Sequence, residues 1–147
     1  VLPVQPLCCT GCTKIGRVPR MLMVGIDLIE IKRIKKSMQN PRFCKRVFGP
    51  SEWAFLQERG FSAQSAAASF CAKEAFAKAL GTGVRGFSLA EVELLRGSLG
   101  EPSLHLSGAA RRIAQERGLT FSVSVTHTKE YAAAVVIGQR QEDSCCS

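Results

Sequence analysis

Glu74 and Lys78 lie one helical turn apart in the run Ser69-Phe70-Cys71-Ala72-Lys73-Glu74-Ala75-Phe76-Ala77-Lys78-Ala79-Leu80-Gly81-Thr82-Gly83. Phe70, Glu74 and Lys78 follow an i, i+4, i+8 spacing, so an anion and a cation project from one side of a helix beside apolar surface. Taken alone, such a pair is a solvated contact worth roughly 0.3 kcal/mol. Chemistry needs further groups from elsewhere in the chain, and two stand out. Asp27 interrupts the apolar run Leu22 to Ile29, where a carboxylate must be paired, bind a cation or border a cleft. His127 closes the alternating run Thr120 to His127, and a strand end is a frequent place for site residues. A turn histidine making one hydrogen bond fits the same position.

The elements that must hold these groups are legible in turn. Ala, Leu, Lys and Glu are strong helix formers, and neither Pro nor Gly interrupts Ser62 to Leu80. The spacing predicts one long helix there, capped by Ser62 and stopped at Gly81. Leu22 to Ile29 alternates two largely apolar sets, which predicts a strand covered on both faces. Glu30 to Met38 reads as a helix with Ile31, Ile34 and Met38 inward and Lys32, Arg33, Lys35 and Lys36 outside. Asn40-Pro41 opens a second helix, with Phe43, Val47 and Phe48 on its apolar side. Ser51 to Arg59 forms a third, with Trp53 and Leu56 inward. Glu91 to Arg96 and Ser103 to Leu106 read as strands around a turn. Ser107 caps a helix to Arg117, and Tyr131 to Ile137 returns alongside Thr120 to His127. The order β-α-α-α-α-β-β-α-β-β predicts an α+β fold, a mainly antiparallel sheet packed with a long central helix.

With 147 residues the chain is most simply one domain, read here as 21–138, with 1–20 an extension carrying little fold information and 139–147 a polar tail. No apolar run is long enough to span a bilayer. Twenty Lys and Arg against 12 Asp and Glu give a formal charge of +8, which favours acidic partners without choosing among them. Much of the excess lies between Lys32 and Arg46, a stretch without an acidic residue. Five of the seven cysteines sit near the ends, while Cys44 and Cys71 fall in helical patterns as small buried groups. Cys9-x-x-Cys12 has metal-ligand spacing, but no second pair with a nearby histidine supports a zinc site. The odd cysteine count and the lack of a basic-then-apolar leader point to a reducing, cytoplasmic setting.

Three separated stretches carry the polar groups singled out above. They are Val24-Gly25-Ile26-Asp27-Leu28-Ile29-Glu30-Ile31-Lys32-Arg33-Ile34, Phe70 to Gly83, and Ser124-Val125-Thr126-His127-Thr128-Lys129-Glu130-Tyr131-Ala132. In this order and at these separations they resemble the holo-[acyl-carrier-protein] synthase family, the short 4′-phosphopantetheinyl transferases. The segment Arg46 to Glu52 and the Gly100-Glu101-Pro102 turn also fall in the family's order. The resemblance covers about Met21 to Gly138. It implies the 4′-phosphopantetheinyl transferase fold. It also implies Mg²⁺-dependent transfer of the 4′-phosphopantetheine arm of coenzyme A to a serine of an acyl carrier protein, in fatty acid biosynthesis, releasing adenosine 3′,5′-bisphosphate.

By this resemblance Asp27 and Glu74 hold Mg²⁺, which takes one or two carboxylates plus phosphate oxygens and waters. Lys78 meets the phosphates or the developing charge, and His127 and Thr128 contact coenzyme A. Arg33 and its basic helix grip the acidic carrier by charge complementarity. The family forms homotrimers with sites between neighbours, so His127 acts on a ligand held mainly by the adjacent chain. The base that deprotonates the serine is left open among Glu74, Asp27 and a metal-bound water.

Two positions depart from the family pattern. Ser69 stands where an arginine is frequent, and Glu101 where a basic residue is frequent. Both changes remove positive charge that bears on affinity and carrier preference. The rival reading is a basic α+β module that binds nucleic acid without catalysis. It calls for exposed aromatics among the basic residues. Helical spacing turns Phe43 and Phe48 toward the core, and that reading leaves Asp27 and Glu74 unexplained.

Overall fold

The computed structural model describes residues 22–140. The expectations for 1–20, for the Cys9–Cys12 pair and for the tail beyond Arg140 fall outside these residues. Strand β1 (Leu22–Glu30) leads into three short helices, α1 (Ile31–Ser37), α2 (Pro41–Val47) and α3 (Pro50–Glu58). The long helix α4 (Ala63–Ala79) follows, and a single 3-10 turn at Leu89–Glu91 then enters β2 (Val92–Arg96). The remaining elements are β3 (Pro102–Leu106), α5 (Gly108–Glu116), β4 (Leu119–His127) and β5 (Tyr131–Arg140). One antiparallel sheet has the order β1-β5-β4, and β2-β3 form a separate hairpin. The α+β expectation holds, including the central helix.

Local chemistry starts the helices where expected. The Asn40 side chain accepts from the Arg42 N–H at 3.0 Å, with Pro41 in the first turn. Ser62 Oγ accepts from the Ser65 N–H at 3.4 Å. Gly81 closes α4 with φ +75°. Ser107 does not cap α5 with its side chain. Its hydroxyl points to the Glu91 carbonyl, and Glu91 Oε2 instead accepts from the Ala110 N–H at 3.2 Å. One carboxylate thereby serves both the 3-10 turn and the start of α5. The last strand runs to Arg140, three residues past the expected Ile137, because Gln139 and Arg140 are paired by β1 and β4 despite their polarity.

Helix α4 lies across β1 and β5, and its small residues let it sit close to the sheet. Ala66, Ala67, Ala72, Ala75 and Ala79 are buried, and Phe76 anchors an aromatic cluster with Phe121 (4.7 Å between centroids) and Phe87 (5.5 Å). The closest approach is at Gly25, where an added Cβ would stand 1.8 Å from the Ala75 carbonyl oxygen. Backbone cannot yield there as a flexible side chain would. Gly25→Ala is expected to destabilise the fold by about 3 kcal/mol or more, at or beyond the upper end for overpacking. Urea unfolding checks this as a lowered midpoint at unchanged slope.

The sequence expectation that β1 is covered on both faces holds for one face only within a single chain. Met23, Gly25, Asp27 and Ile29 turn toward α4. Leu22, Val24, Ile26 and Leu28 form a row on the other face that is 59–65% exposed, flanked on β5 by Ile137 and Tyr131. A strand written as apolar on both sides is here clothed by its own helix on one side alone.

Candidate active site

The side chain of Asp27 projects from the covered face of β1 toward the last two turns of α4. Lys78 Nζ stands 2.9 Å from Asp27 Oδ1 and also donates to the Ile26 carbonyl at 2.9 Å. Lys78 therefore bridges helix to strand, and its partner is Asp27 rather than Glu74, one turn back. Glu74, half-buried beside them, has its carboxyl pushed above the usual glutamate range. Burial is the larger cause and the Asp27 charge the second, with Lys78 opposing both. Beneath Asp27 lies Cys71, whose thiol donates to the Ala132 carbonyl at 3.2 Å. Burial first, and the Asp27 charge next, push that thiol up to about 12, so it stays protonated as a packing group.

Two carboxylates thus face each other across one ammonium, and the repulsion raising Glu74 is what a divalent cation would relieve. Among the described residues no cluster of three or more His, Cys, Asp or Glu could hold a metal. A donor set of two carboxylates from two elements suits Mg²⁺, which keeps several positions for water and phosphate oxygen.

Helix α4, which carries Glu74, is anchored by a network that the sequence reading did not find. The next residue back, Lys73, is fully buried and lies 2.6 Å from Glu52 Oε2 of α3. Its ammonium also donates to the carbonyls of Leu89 (3.2 Å) and Val92. Glu52 Oε1 accepts from the Leu94 N–H, and Glu93 Oε1 from the Glu52 N–H, each at 2.9 Å. Burial pushes the Glu52 carboxyl up and the Lys73 ammonium down, while their mutual attraction opposes both shifts. Helix α4 is in this way tied to α3 and β2 from its far side. The available signal was a second charged residue, Lys73, beside Glu74 in a run otherwise made of Ala, Phe and Cys from Phe70 to Ala77.

His127 and Thr128 are not brought to Asp27. In register His127 pairs with Ala132, and Ala132 with Ile29, so Asp27 and His127 lie on opposite edge strands, roughly 12 Å apart by strand spacing and rise. Helix α4 stands between them, and His127 instead borders a recess with Arg59, Ser69 and Arg96. Thr128 Oγ accepts from the N–H groups of Glu130 (3.2 Å) and Tyr131 (3.0 Å), which makes it a builder of the β4–β5 turn. Arg33 is exposed on α1. Phe48 is buried as expected, but Phe43 is only half-buried. It stacks on Phe70 (6.1 Å between centroids) along a groove of about 620 Å³ rimmed by Arg42 and Arg46.

The same architecture and sequence recur in known proteins. The model of the 4′-phosphopantetheinyl transferase superfamily matches residues 23–136. A holo-[acyl-carrier-protein] synthase of Caldanaerobacter subterraneus subsp. tengcongensis is 38% identical over 125 residues, spanning 84% of this chain and 98% of its own. Among solved structures, the holo-[acyl-carrier-protein] synthase of Neisseria meningitidis superposes with TM-score 0.75 at 30% identity, covering 80% of this chain and 98% of that one. The Chronobacterium ammoniagenes ACPS–CoA complex gives 0.72 at 28% identity, covering 83% and 99%. With its helix-bridged carboxylates and near full-length relatives, the chain belongs to the 4′-phosphopantetheinyl transferase superfamily, among the holo-[acyl-carrier-protein] synthases.

Proposed function

We propose that this chain transfers the 4′-phosphopantetheine arm of coenzyme A to a serine hydroxyl of an apo acyl carrier protein, leaving adenosine 3′,5′-bisphosphate. The observation that carries the reading is the convergence of Asp27, Glu74 and Lys78 from a strand and a helix onto one small volume. Asp27 and Glu74 would hold Mg²⁺, which when bound neutralises diphosphate charge and polarises the phosphorus under attack. Lys78, half-exposed and fixed by Asp27 and the Ile26 carbonyl, presents its remaining donor capacity to phosphate oxygens as charge builds on them.

The carrier is acidic and meets a basic face. Arg33 and the other exposed cations of α1 steer it, and the Phe43–Phe70 groove, with Arg42 and Arg46 on its rim, offers an apolar seat leading one turn along α4 to Glu74. Two buried free thiols, Cys44 and Cys71, suit a reducing cytoplasmic setting. No helix among the described residues is long and apolar enough to cross a membrane.

The working unit is a homotrimer. The uncovered row Leu22, Val24, Ile26 and Leu28 gives the copies an apolar surface to share, and His127 of one copy then serves coenzyme A held at Asp27 of the next. Val24→Lys, which places an ammonium in that row, is expected to shift the protein from a three-chain species to single chains at micromolar concentration, with transfer falling in parallel. Sedimentation velocity and activity at matched concentrations check it, and a Val24→Lys protein that stays trimeric would remove this face from the interface.

The reaction itself is tested by incubating the protein with coenzyme A, Mg²⁺ and apo carrier proteins, with and without a chelator. Mass spectrometry should show the added arm on the carrier only without the chelator. No addition across several carriers would undermine the reading.

A further inference from the structure

Helix α2 separates two grooves. Arg42, Phe43, Arg46 and Val47 face the one shared with Phe70, whereas Pro41, Cys44 and Lys45 face a second of about 600 Å³, between the end of α1 and the start of α3. The walls of this second groove are Met38, Pro41, Phe48, Pro50 and Trp53, and no acidic side chain lines it. The chain's own contacts hold these walls in place. Phe48 and Trp53 lie 5.9 Å apart between ring centroids, and the buried Cys44 thiol donates to the Met38 carbonyl at 3.3 Å. The volume falls in the range of about 300–1,000 Å³ usual for small-molecule sites, and the lining is of the apolar kind such sites favour.

The backbone of these walls has little left to give a polar ligand. Pro41 and Pro50 carry no N–H. The Met38 carbonyl is taken by Cys44, and the carbonyls of Cys44 and Gly49 accept from the N–H groups of Phe48 and Trp53, each at 2.9 Å. A sugar or nucleotide finds no array of donors here, and an extended peptide finds no backbone partners. An alkyl chain needs neither and gains by leaving water. The charge at the groove is the exposed Lys45. Among the described residues the ion pairs are those of Lys73 and Lys78, so Lys45 has no carboxylate of its own. No acidic residue lies between Lys32 and Arg46, and this favours a ligand with an anionic head. We propose that this groove binds a free aliphatic carboxylate, with its chain laid along Met38, Phe48 and Trp53 and its head on Lys45. None of Asp27, Glu74 and Lys78 lines the groove, so the ligand binds whether or not the chain transfers phosphopantetheine.

Trp53 is the chain's single tryptophan, so its emission reports on this groove and not on the apolar row of β1. The experiment titrates the full chain with octanoate, decanoate and dodecanoate, below their micelle concentrations, and follows Trp53 fluorescence. A saturable blue shift is expected, with affinity rising up to about fourfold per added methylene until the groove is filled. Lys45→Gln should weaken octanoate about threefold, as for an exposed ion pair, and leave octan-1-ol unchanged, while Lys45→Arg restores octanoate. Lys45 is exposed, so both variants should fold, and thermal melting confirms it. Three results overturn the assignment: no saturable change at Trp53, an affinity indifferent to chain length, or a Lys45→Gln loss equal for the acid and the alcohol. Two more do so by naming another occupant. A Trp53 shift with phosphatidylglycerol vesicles but not with free decanoate makes the face a membrane contact. A shift that follows protein concentration without any added acid makes it a contact between copies.

Discussion

Asp27→Ala is expected to lower transfer by about 10³-fold or more while leaving the fold in place, a loss at the upper end of that seen on removing one preorganised electrostatic group. The effect is large because one carboxylate serves two partners. It is half of the donor set for the cation and the anchor that stretches Lys78 from α4 to β1. Without it Glu74 keeps its place but loses the neighbouring charge, and Lys78 falls back on the Ile26 carbonyl alone. The structural cost is small by comparison. Lys78 is half-exposed, and ion pairs of that kind contribute at most about 1 kcal/mol. The melting temperature should therefore move by no more than about 4 °C. Asp27→Asn separates the two roles, since an amide oxygen can still accept from Lys78 but brings no charge to a cation. Loss equal to that of the alanine variant assigns the effect to charge. Full activity in either variant would exclude Asp27 from the reaction centre.

The largest stability effect is expected at Glu52. Glu52→Ala removes the counter-charge from an ammonium that has no access to water, and breaking such a pair costs about 3–5 kcal/mol. Two backbone groups lose their arrangement at the same time: the Leu94 N–H loses its acceptor, and the approach of Glu93 to the Glu52 N–H is loosened. Replacing both partners together, Glu52→Gln with Lys73→Met, should cost distinctly less than the sum of the single changes, because neither member of the pair is then left charged without the other. Urea unfolding of the two single variants and the double one supplies the cycle. A single Glu52→Ala cost below about 1 kcal/mol would mean that water or another group reaches Lys73, contrary to the sealed pair seen here.

What the amino-acid order revealed, and what it hid, follows from the range of each signal. Helix α4 was legible because its residues are intrinsically helical and its ends carry Ser62 and Gly81. Asp27 was legible because a lone carboxylate in an apolar strand needs a reason. The partner of Lys78 was not, since i, i+4 spacing sees only the same helix and Asp27 lies 51 residues away. Lys73 and Glu52 were hidden for a related cause: each looks like a surface charge until the fold closes over both. Ser107 carried the right residue type for a cap, yet a carboxylate from Glu91 outcompeted its hydroxyl. The flank of α4 on which His127 falls depends on strand order, which local pattern does not encode.

The bare apolar row on β1 has a consequence for how this protein can be altered. Val24 touches no reactant, yet on the trimer reading it is held under the same constraint as a residue that does, because each reaction centre exists only where two copies meet. A compound wedged into that seam would silence every centre at once, without competing against the cell's pool of nucleotide donor.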